Sequence, residues 1–212
     1  MIFENREKAG KLLAERLLGY RGTSNVVLAL PRGGLPVARP IADALGAPLD
    51  VMVARKLGAP DNPEFAIGAV TARGHRVLNE DALRMVFLPP GYLERETEHQ
   101  AGLAAERERL LRGVRQAVPL AGKTMILVDD GIATGMTMEA ALVDVRAESP
   151  AKVVVAAPVI GPEAFERLSK EAEVVTLQVP SFFYAIGQFY ADFSQVSDEE
   201  AREILAASLR KH

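Results

Sequence analysis

In the part of the chain that follows residue 123, short apolar runs alternate with longer segments of helical pattern. The runs TMILVD, AKVVVAAPV and EVVTLQVP each have the length of a strand. Residues 137–147 and 162–172, which separate these runs, have the length of ordinary helices. This alternation predicts βαβ units on a parallel sheet, joined by right-handed connections.

The first part of the chain adds two more strands to this pattern. Residues 26–31, VVLALP, form a continuous apolar run that suits a buried parallel strand, and residues 49–54 form a second candidate. Apolar spacing predicts a helix over residues 3–19 and another from Pro36 to Gly46, with Pro40 about one turn inside it. The predicted fold class is therefore α/β: a twisted, mainly parallel sheet of about five strands with helices on both faces.

The middle of the chain is predicted to be less regular. Residues 57–64, LGAPDNPE, are rich in Gly, Pro, Asp and Asn and predict a loop. Two short strands should follow around a turn at Gly74, and residues 92–116 predict a long, mostly exposed helix because Glu and Arg dominate them. Near the other end, Ser197 and Glu200 have the spacing of a capping box, which predicts the start of a final helix.

Composition limits the chemistry that the chain can perform. No cysteine occurs in the 212 residues, which excludes disulfides, cysteine-ligated zinc and a thiol nucleophile. His75, His99 and His212 are too scattered to predict a metal site. The net charge of −3 gives no overall electrostatic reason to bind nucleic acid or an anionic membrane. The N-terminus lacks the pattern of a secretory signal and no run is apolar enough to span a membrane, so we expect a cytoplasmic protein.

Three of the predicted strands are followed by residues that suit an anionic ligand. Arg32, Gly33 and Gly34 follow the first strand, Arg55 and Lys56 follow the second, and the segment DDGIATGMT follows the run TMILV. Ligands of open parallel sheets bind beyond the carboxyl ends of the strands. Together these strand ends predict a site for an anionic sugar.

Two adjacent carboxylates, Asp129 and Asp130, begin the segment DDGIATGMT. Neighbouring carboxylates repel each other, so the fold gains no stability from placing them side by side. Their oxygens can accept hydrogen bonds from the vicinal hydroxyls of a ribose, or hold a divalent cation through water. We therefore interpret the pair as part of a binding site.

The loop after the two aspartates suits a phosphate group. Gly131, Ala133 and Gly135 keep side chains out of the way, while Thr134 and Thr137 offer hydroxyl groups as the chain enters a helix. Backbone N–H groups at the start of a helix, together with the helix dipole, favour phosphate binding. One short segment is thus predicted to hold a sugar at one end and a phosphate at the other.

The segment ILVDDGIATGMT resembles the phosphoribosyl pyrophosphate (PRPP) motif of the type I phosphoribosyltransferases. It has the apolar strand, the two acidic residues, the three small or apolar residues and the final Thr-Gly-x-Thr. Two weaker motifs appear in the same order as in that family: LPRGG resembles the loop that holds pyrophosphate, and VARKLGAP resembles the Arg-Lys segment of adenine-type members. The resemblance covers roughly residues 26–158.

This resemblance implies a Mg²⁺-dependent transfer of the 5-phosphoribosyl group from PRPP to a nitrogenous base, with release of pyrophosphate. Asp129 and Asp130 would hold the ribose hydroxyls and, through water or substrate, the metal. Arg55 and Lys56 would neutralise the charge that grows on the leaving group. The residues implied to bind PRPP are Arg32, Gly33, Gly34, Ala133, Thr134, Gly135, Met136 and Thr137.

Ala133 departs from the pattern of the hypoxanthine-guanine members. Those members carry an aspartate at this place, which handles the proton of the purine. In this respect the chain resembles the adenine-type and other members, and the general base stays unidentified. Among acceptors, a purine-type base is favoured. Glu64, in the predicted loop, is one candidate for that base.

Family members cover the acceptor site with a variable hood that is commonly built from the chain ends. Here the hood would come from residues 1–22 and 180–212 of a single domain spanning residues 1–212. Its aromatic side chains would either stack on a base or only pack the C-terminal helix onto the sheet; they are Phe183, Tyr184, Phe189 and Tyr190. A dimer is common in the family, and the sequence leaves a homodimer open.

Two other functions stay open at the level of sequence. The first is a regulator that has the same fold without the turnover and senses PRPP or a nucleotide. A basic nucleic-acid surface would favour it, but the chain is acidic. A generic sugar-phosphate binding protein is the other alternative, and it would bind ribose 5-phosphate no more weakly than PRPP.

Overall fold

The computed structural model describes residues 1–208, which form two β-sheets and seven α-helices. The strands are β1 (Asn25–Ala29), β2 (Leu49–Val51), β3 (Ala54–Ala59), β4 (Asn62–Thr71), β5 (Arg76–Leu78), β6 (Thr124–Val128), β7 (Lys152–Val159) and β8 (Glu173–Gln178). The helices are α1 (Arg6–Leu17), α2 (Gly34–Leu45), α3 (Glu80–Arg84), α4 (Tyr92–Arg112), α5 (Met136–Ala147), α6 (Pro162–Glu171) and α7 (Asp198–Ala207). Short 3-10 helices span Leu18–Tyr20 and Ile186–Phe189.

The larger sheet has five parallel strands in the order β2-β1-β6-β7-β8. Alternate residues of each strand face opposite sides, as the two-residue period of a strand requires. On one side Val27 and Ile126 pack with α1, α2 and α7, and on the other Leu28 and Leu127 pack with α5 and α6. The predicted fold class, a mainly parallel five-stranded sheet with helices on both faces, is confirmed.

The smaller sheet, β3-β4-β5, is antiparallel, and it corrects two predictions. The strand predicted at residues 49–54 ends at Val51, and the predicted loop at residues 57–64 is instead the end of β3, a turn and the start of β4. The chain leaves the parallel sheet at Val53, whose N–H donates to a carboxylate oxygen of Glu108 (2.9 Å) rather than to a neighbouring strand. The turn residues of this segment therefore mark the tip of a hairpin, not a loop.

Asp50 ties β2 to the end of α4. Its buried carboxylate accepts hydrogen bonds from Arg112 Nε (2.8 Å) and from the backbone N–H groups of Val51 (2.8 Å) and Val118 (2.9 Å). Arg112 also pairs with Glu108 at 2.7 Å. A buried carboxylate with three donors is stabilised by them, and its loss leaves all three donors short of an acceptor.

We expect Asp50→Ala to lower the free energy of unfolding by about 3 kcal/mol, because the buried N–H of Val51, the partly buried N–H of Val118 and part of the Arg112 charge lose their partner. Urea denaturation measures the change. Glu166→Ala is the control, since Glu166 is 75% exposed and pairs with Lys170, so a loss below about 0.5 kcal/mol is expected. Equal losses in the two variants would contradict the anchoring role of Asp50.

The two ends of the described chain meet beside the parallel sheet. The N–H of Phe3 donates to the carbonyl of Phe189 (2.8 Å), and the N–H of Ala191 donates to the carbonyl of Phe3 (2.8 Å). Phe3 and Tyr190 are buried together, with ring centroids 5.4 Å apart. The range predicted for the hood thus contains a paired segment, and its last residues, 209–212, lie outside the described part of the chain.

The final helix, α7, packs against α2 and α4. The side chain of Ser197 accepts a hydrogen bond from the N–H of Glu200 (3.0 Å), which is one of the two bonds of the capping box predicted from the sequence. Across residues 1–208, no helix is both long enough and apolar enough to cross a membrane.

Candidate active site

The ends of β1 and β6 lie side by side, because these strands are neighbours in the parallel sheet. Gly33 lies against Asp130 so closely that a Cβ atom at Gly33 would be 2.0 Å from Asp130 Oδ2. A Cβ at Gly34 would be 2.7 Å from the carbonyl oxygen of Val128. The two motifs therefore meet at one place, and the glycines are needed for this contact because any side chain would collide.

At this junction Asp130 is buried, at 8% exposed, and Asp129 is partly buried. Burial, followed by the charge of Asp130, raises the pKa of Asp129 well above its usual range. Burial also raises the pKa of Asp130, while the bond from Arg6 opposes this change. The surroundings thus disfavour the charged form of both carboxyl groups, and pKa shifts of this kind are typical of functional sites.

Arg6, the first residue of α1, is a neighbour of Asp130 that the sequence did not indicate. Its Nε lies 2.7 Å from Asp130 Oδ2, and its Nη1 donates to the carbonyl of Ser194 (2.8 Å). The guanidinium carbon lies 3.8 Å from the ring centroid of Phe193. The Tyr190 hydroxyl also lies beside Asp130 and donates a hydrogen bond to its backbone carbonyl (2.6 Å). Both chain ends therefore contribute to the surroundings of Asp130.

The segment from Ala133 to Thr137 forms the turn that leads from β6 into α5. Gly135 has a φ of +83°, a left-handed conformation that favours glycine, and α5 begins at the next residue. Within residues 1–208, no protein acceptor is recorded for the backbone N–H groups of this segment. These N–H groups, at a helix start, are available to an anion.

An open cleft of about 900 Å³ lies beside this turn. On one side the cleft is lined by Ala133, Thr134 and Met136 of the turn. Gly161 and Pro162 line it from the start of α6, and β5, α3 and the segment after β8 supply the other walls. The remaining lining residues are Leu78, Asn79, Glu80, Asp81, Glu139, Glu163, Arg167, Ser181, Phe183 and Tyr184. The cleft has room for a small ligand that touches both the loop and the C-terminal aromatic segment.

Arg32 stands at the end of β1, after a cis peptide bond from Pro31. Its Nη1 lies 3.3 Å from Asp198 Oδ1, and Arg107 binds the same carboxylate. The bond from Arg107 is the largest cause that lowers the pKa of Asp198 below its usual range. Arg32 therefore shares its anionic partner with a second cation, which leaves the pair of arginines with a net positive charge.

Arg55 and Lys56 lie within β3 rather than at the end of a parallel strand, so their predicted position is corrected. Arg55 Nε donates to the side chain of Gln100 on α4 (2.6 Å), while the Lys56 side chain is exposed. Ala54, which precedes them, packs in a small cluster with Met136 at the start of α5. The small sheet thus lies over the beginning of α5. Glu64, the candidate base, is exposed on β4.

The four aromatic residues predicted to contact an acceptor divide into two groups. Phe189 and Tyr190 are buried in a cluster with Phe3, and they pack the chain ends together. Phe183 and Tyr184 line the cleft, and Tyr184 is 87% exposed. Only the second group has side chains placed to touch a ligand in the cleft.

The carboxylates at the end of β6 suit a hydrated Mg²⁺. Mg²⁺ usually keeps several waters and binds one or two carboxylates together with phosphate oxygens of the substrate. Asp129 and Asp130 supply two carboxylates, and the described residues contain no group of three or more acidic, His or Cys side chains that could hold a metal by themselves. Any Mg²⁺ here would therefore depend on water or substrate oxygens for its remaining ligands.

Comparison with known proteins defines the class of this chain. The family described as phosphoribosyl transferase domain matches residues 1–194. The chain belongs to the phosphoribosyl transferase family.

Individual relatives support this assignment. Two proteins from strains of Mycobacterium tuberculosis, provisionally named phosphoribosyl transferases, are 45% identical over 94% of this chain. The chain spans only 45% of the length of each, so each of them has a further region. The crystal structure of TT1426 from Thermus thermophilus is 50% identical, covers 98% of this chain and 99% of its own, and has a TM-score of 0.83. The structure of AQ2163 from Aquifex aeolicus, 16% identical with a TM-score of 0.51 over 86% and 78% of the two chains, shares the fold.

Proposed function

We propose that this chain transfers the 5-phosphoribosyl group from PRPP to a nitrogenous base with the help of Mg²⁺, and that a purine-type base is the favoured acceptor. The observation that carries this proposal is the junction of Gly33 with Asp130 beside a turn whose N–H groups have no recorded protein acceptor. The site would thereby bring together a sugar-binding pair, a phosphate-binding turn and a basic loop.

In this proposal the ribose and its 5′-phosphate lie at the end of β6. Asp129 and Asp130 accept hydrogen bonds from the ribose hydroxyls, while the N–H groups from Ala133 to Thr137 and the hydroxyls of Thr134 and Thr137 bind the phosphate. During the reaction the bond between the anomeric carbon and the pyrophosphate oxygen breaks, and its electron pair leaves with pyrophosphate. The sugar becomes electron-poor, so nearby carboxylates stabilise the transition state.

The pyrophosphate would lie against Gly33 and Gly34, with Arg32 beside it. Arg55 and Lys56, on the sheet that lies over the start of α5, would supply positive charge to the departing group. Mg²⁺, when bound, would offset the charge of the pyrophosphate oxygens. Binding of PRPP would compete with Asp198 for Arg32, and Arg107 would retain Asp198.

The acceptor would enter the cleft beside Ala133. Phe183 and Tyr184 offer aromatic faces to a planar base, whose nitrogen attacks the anomeric carbon and then loses its proton. Ala133 offers no group to receive that proton, so the base that takes it stays open. The cytoplasmic location and the homodimer also stay predictions.

Isothermal titration with PRPP and Mg²⁺, followed by pyrophosphate release with adenine, guanine, hypoxanthine, xanthine, uracil and orotate, tests the proposal. We expect binding of PRPP and release of pyrophosphate with at least one purine. Binding without release for any base would favour a non-catalytic PRPP sensor. Binding of ribose 5-phosphate as tight as that of PRPP would favour a generic sugar-phosphate protein, and no binding of PRPP at millimolar concentration would reject the assignment.

A further inference from the structure

Arg167, on α6, reaches across to the turn that is proposed to bind phosphate. Its Nη2 donates to the backbone carbonyl of Thr134, and its Nε donates to Glu139 Oε1 (3.0 Å) on α5. A Cβ placed on Gly135 would lie 3.6 Å from Arg167 Nη2 and 3.5 Å from Glu139 Oε1. The guanidinium group therefore lies directly against the Thr134–Gly135 peptide.

This contact fixes the direction of one backbone N–H in the turn. In a planar trans peptide the carbonyl and the following N–H point in opposite directions. Because Arg167 holds the Thr134 carbonyl, the N–H of Gly135 is directed away from the guanidinium, and it has no recorded acceptor within residues 1–208. Gly135 has a φ of +83° and no side chain, so its own backbone conformation is less restricted than that of other residues.

We propose that Arg167 is a positioning residue for phosphate binding: it holds the Thr134–Gly135 peptide in the orientation that presents the Gly135 N–H to the 5′-phosphate of PRPP. This inference rests on the function proposed above. Glu139 supports it by holding the other edge of the guanidinium, and its side chain is only 19% exposed. Because the Arg167 guanidinium is bonded to two acceptors, Glu139 and the Thr134 carbonyl, its orientation is more restricted than that of a cation with a single partner.

Arg146 provides a closely matched comparison within the same pair of helices. Arg146 lies on α5 and reaches the last residue of α6, Glu171. It pairs with Glu171 Oε2 (2.5 Å) and donates to the backbone carbonyl of Glu171. The side chains of Arg146 and Arg167 are similarly exposed, at 42% and 46%. Arg146 lies about 16 Å along α5 from Gly135, at 1.5 Å for each residue, so it cannot orient the turn.

The test compares Arg167→Met with Arg146→Met in titrations of PRPP with Mg²⁺ and of inorganic pyrophosphate. For Arg167→Met we expect the Kd for PRPP and the KM for PRPP to rise about 10-fold, while kcat and the Kd for pyrophosphate change less than about 3-fold. For Arg146→Met we expect all of these to stay within about 2-fold of the unmodified chain. Both variants lose one exposed ion pair, so their Tm values should differ from that of the unmodified chain by no more than about 3 °C.

An unchanged Kd for PRPP in Arg167→Met would overturn the inference while leaving the proposed function intact. Equal weakening in both variants, or equal weakening of PRPP and pyrophosphate in Arg167→Met, would also overturn it, because either result points to a general role in packing α5 against α6. If the unmodified chain binds no PRPP, the proposed function fails first and the inference falls with it.

Discussion

Asp129→Asn is expected to reduce phosphoribosyl transfer by about 100-fold or more while raising the free energy of unfolding. The activity falls because a carboxylate beside the electron-poor sugar is replaced by a neutral amide. Stability rises because Asp129 is partly buried and lies next to Asp130, and both features raise its pKa. The Asn side chain keeps an oxygen that can accept the bond from the N–H of Asp130, which is 2.8 Å in the structure.

The pH dependence of this gain follows from the direction of the pKa shift. A carboxyl group whose pKa is raised on folding binds its proton more tightly in the folded state, so its contribution to stability falls as pH rises from its unfolded pKa towards its folded pKa. Asparagine has no such loss. We therefore expect Asp129→Asn to be more stable than the unmodified chain by about 1 kcal/mol near neutral pH, with a smaller difference at a pH of about 4.

Urea denaturation at the two pH values and a pyrophosphate-release assay measure both halves of this prediction. Asp50→Asn is the control, since Asp50 is also withdrawn from solvent, and more fully than Asp129, but has donors for its charge and lies away from the turn. It should lose stability and keep turnover. If Asp129→Asn loses stability as Asp50→Asn does, the pair at the end of β6 is a structural feature and the ligand-binding interpretation of it is wrong.

Gly33→Ala is expected to abolish measurable PRPP binding, with Kd raised by about 100-fold or more. The added Cβ would lie 2.0 Å from Asp130 Oδ2 and 2.6 Å from Asp130 Cγ. To avoid this clash, either Asp130 or the chain after β1 must move, and Asp130 is held in place by its ion pair with Arg6. Overpacking of this kind also costs about 1–3 kcal/mol of stability. Titration of PRPP and of pyrophosphate, together with urea denaturation, measures these effects.

Gly102→Ala is the control for this substitution. Gly102 lies inside α4, and a Cβ there would have no atom within 4 Å. Alanine in an exposed helix interior is more favourable than glycine, so this variant should gain about 1 kcal/mol and keep its affinity for PRPP. Retention of normal PRPP binding by Gly33→Ala would mean that the ends of β1 and β6 can separate at little cost.

The parallel sheet could be predicted from sequence because its signals are local. The apolar runs at residues 26–31 and 124–128 and the helices between strands follow from periodicity within short windows, and the structure agrees. The hairpin of β3 and β4 could not be predicted in this way. Its tip contains Pro60, Asp61 and Asn62, and turn residues of this kind also occur in loops that have no strands beside them.

The surroundings of the candidate site depend on contacts that no local pattern encodes. Arg6 and Asp130 are 124 residues apart in the sequence, and Arg167 and Thr134 are 33 apart. Arg6 begins an ordinary amphipathic helix, and Arg167 lies on a helix where basic residues are unremarkable, so neither stood out. The motif Asp129 to Thr137 was visible because one continuous segment contains it. The residues that hold that segment in place come from both ends of the chain and from α6.

Arg6 is synthesised before the residues that its guanidinium group contacts. As the chain leaves the ribosome, α1 and the first strands are available early, but Asp130 appears much later and Tyr190, Phe193 and Ser194 later still. N-terminal segments generally begin to fold during translation. Here, however, the Arg6 side chain acquires its full set of partners only when the last part of the domain has been made, so a nascent chain that stops short of Ser194 has Asp130 without these surroundings.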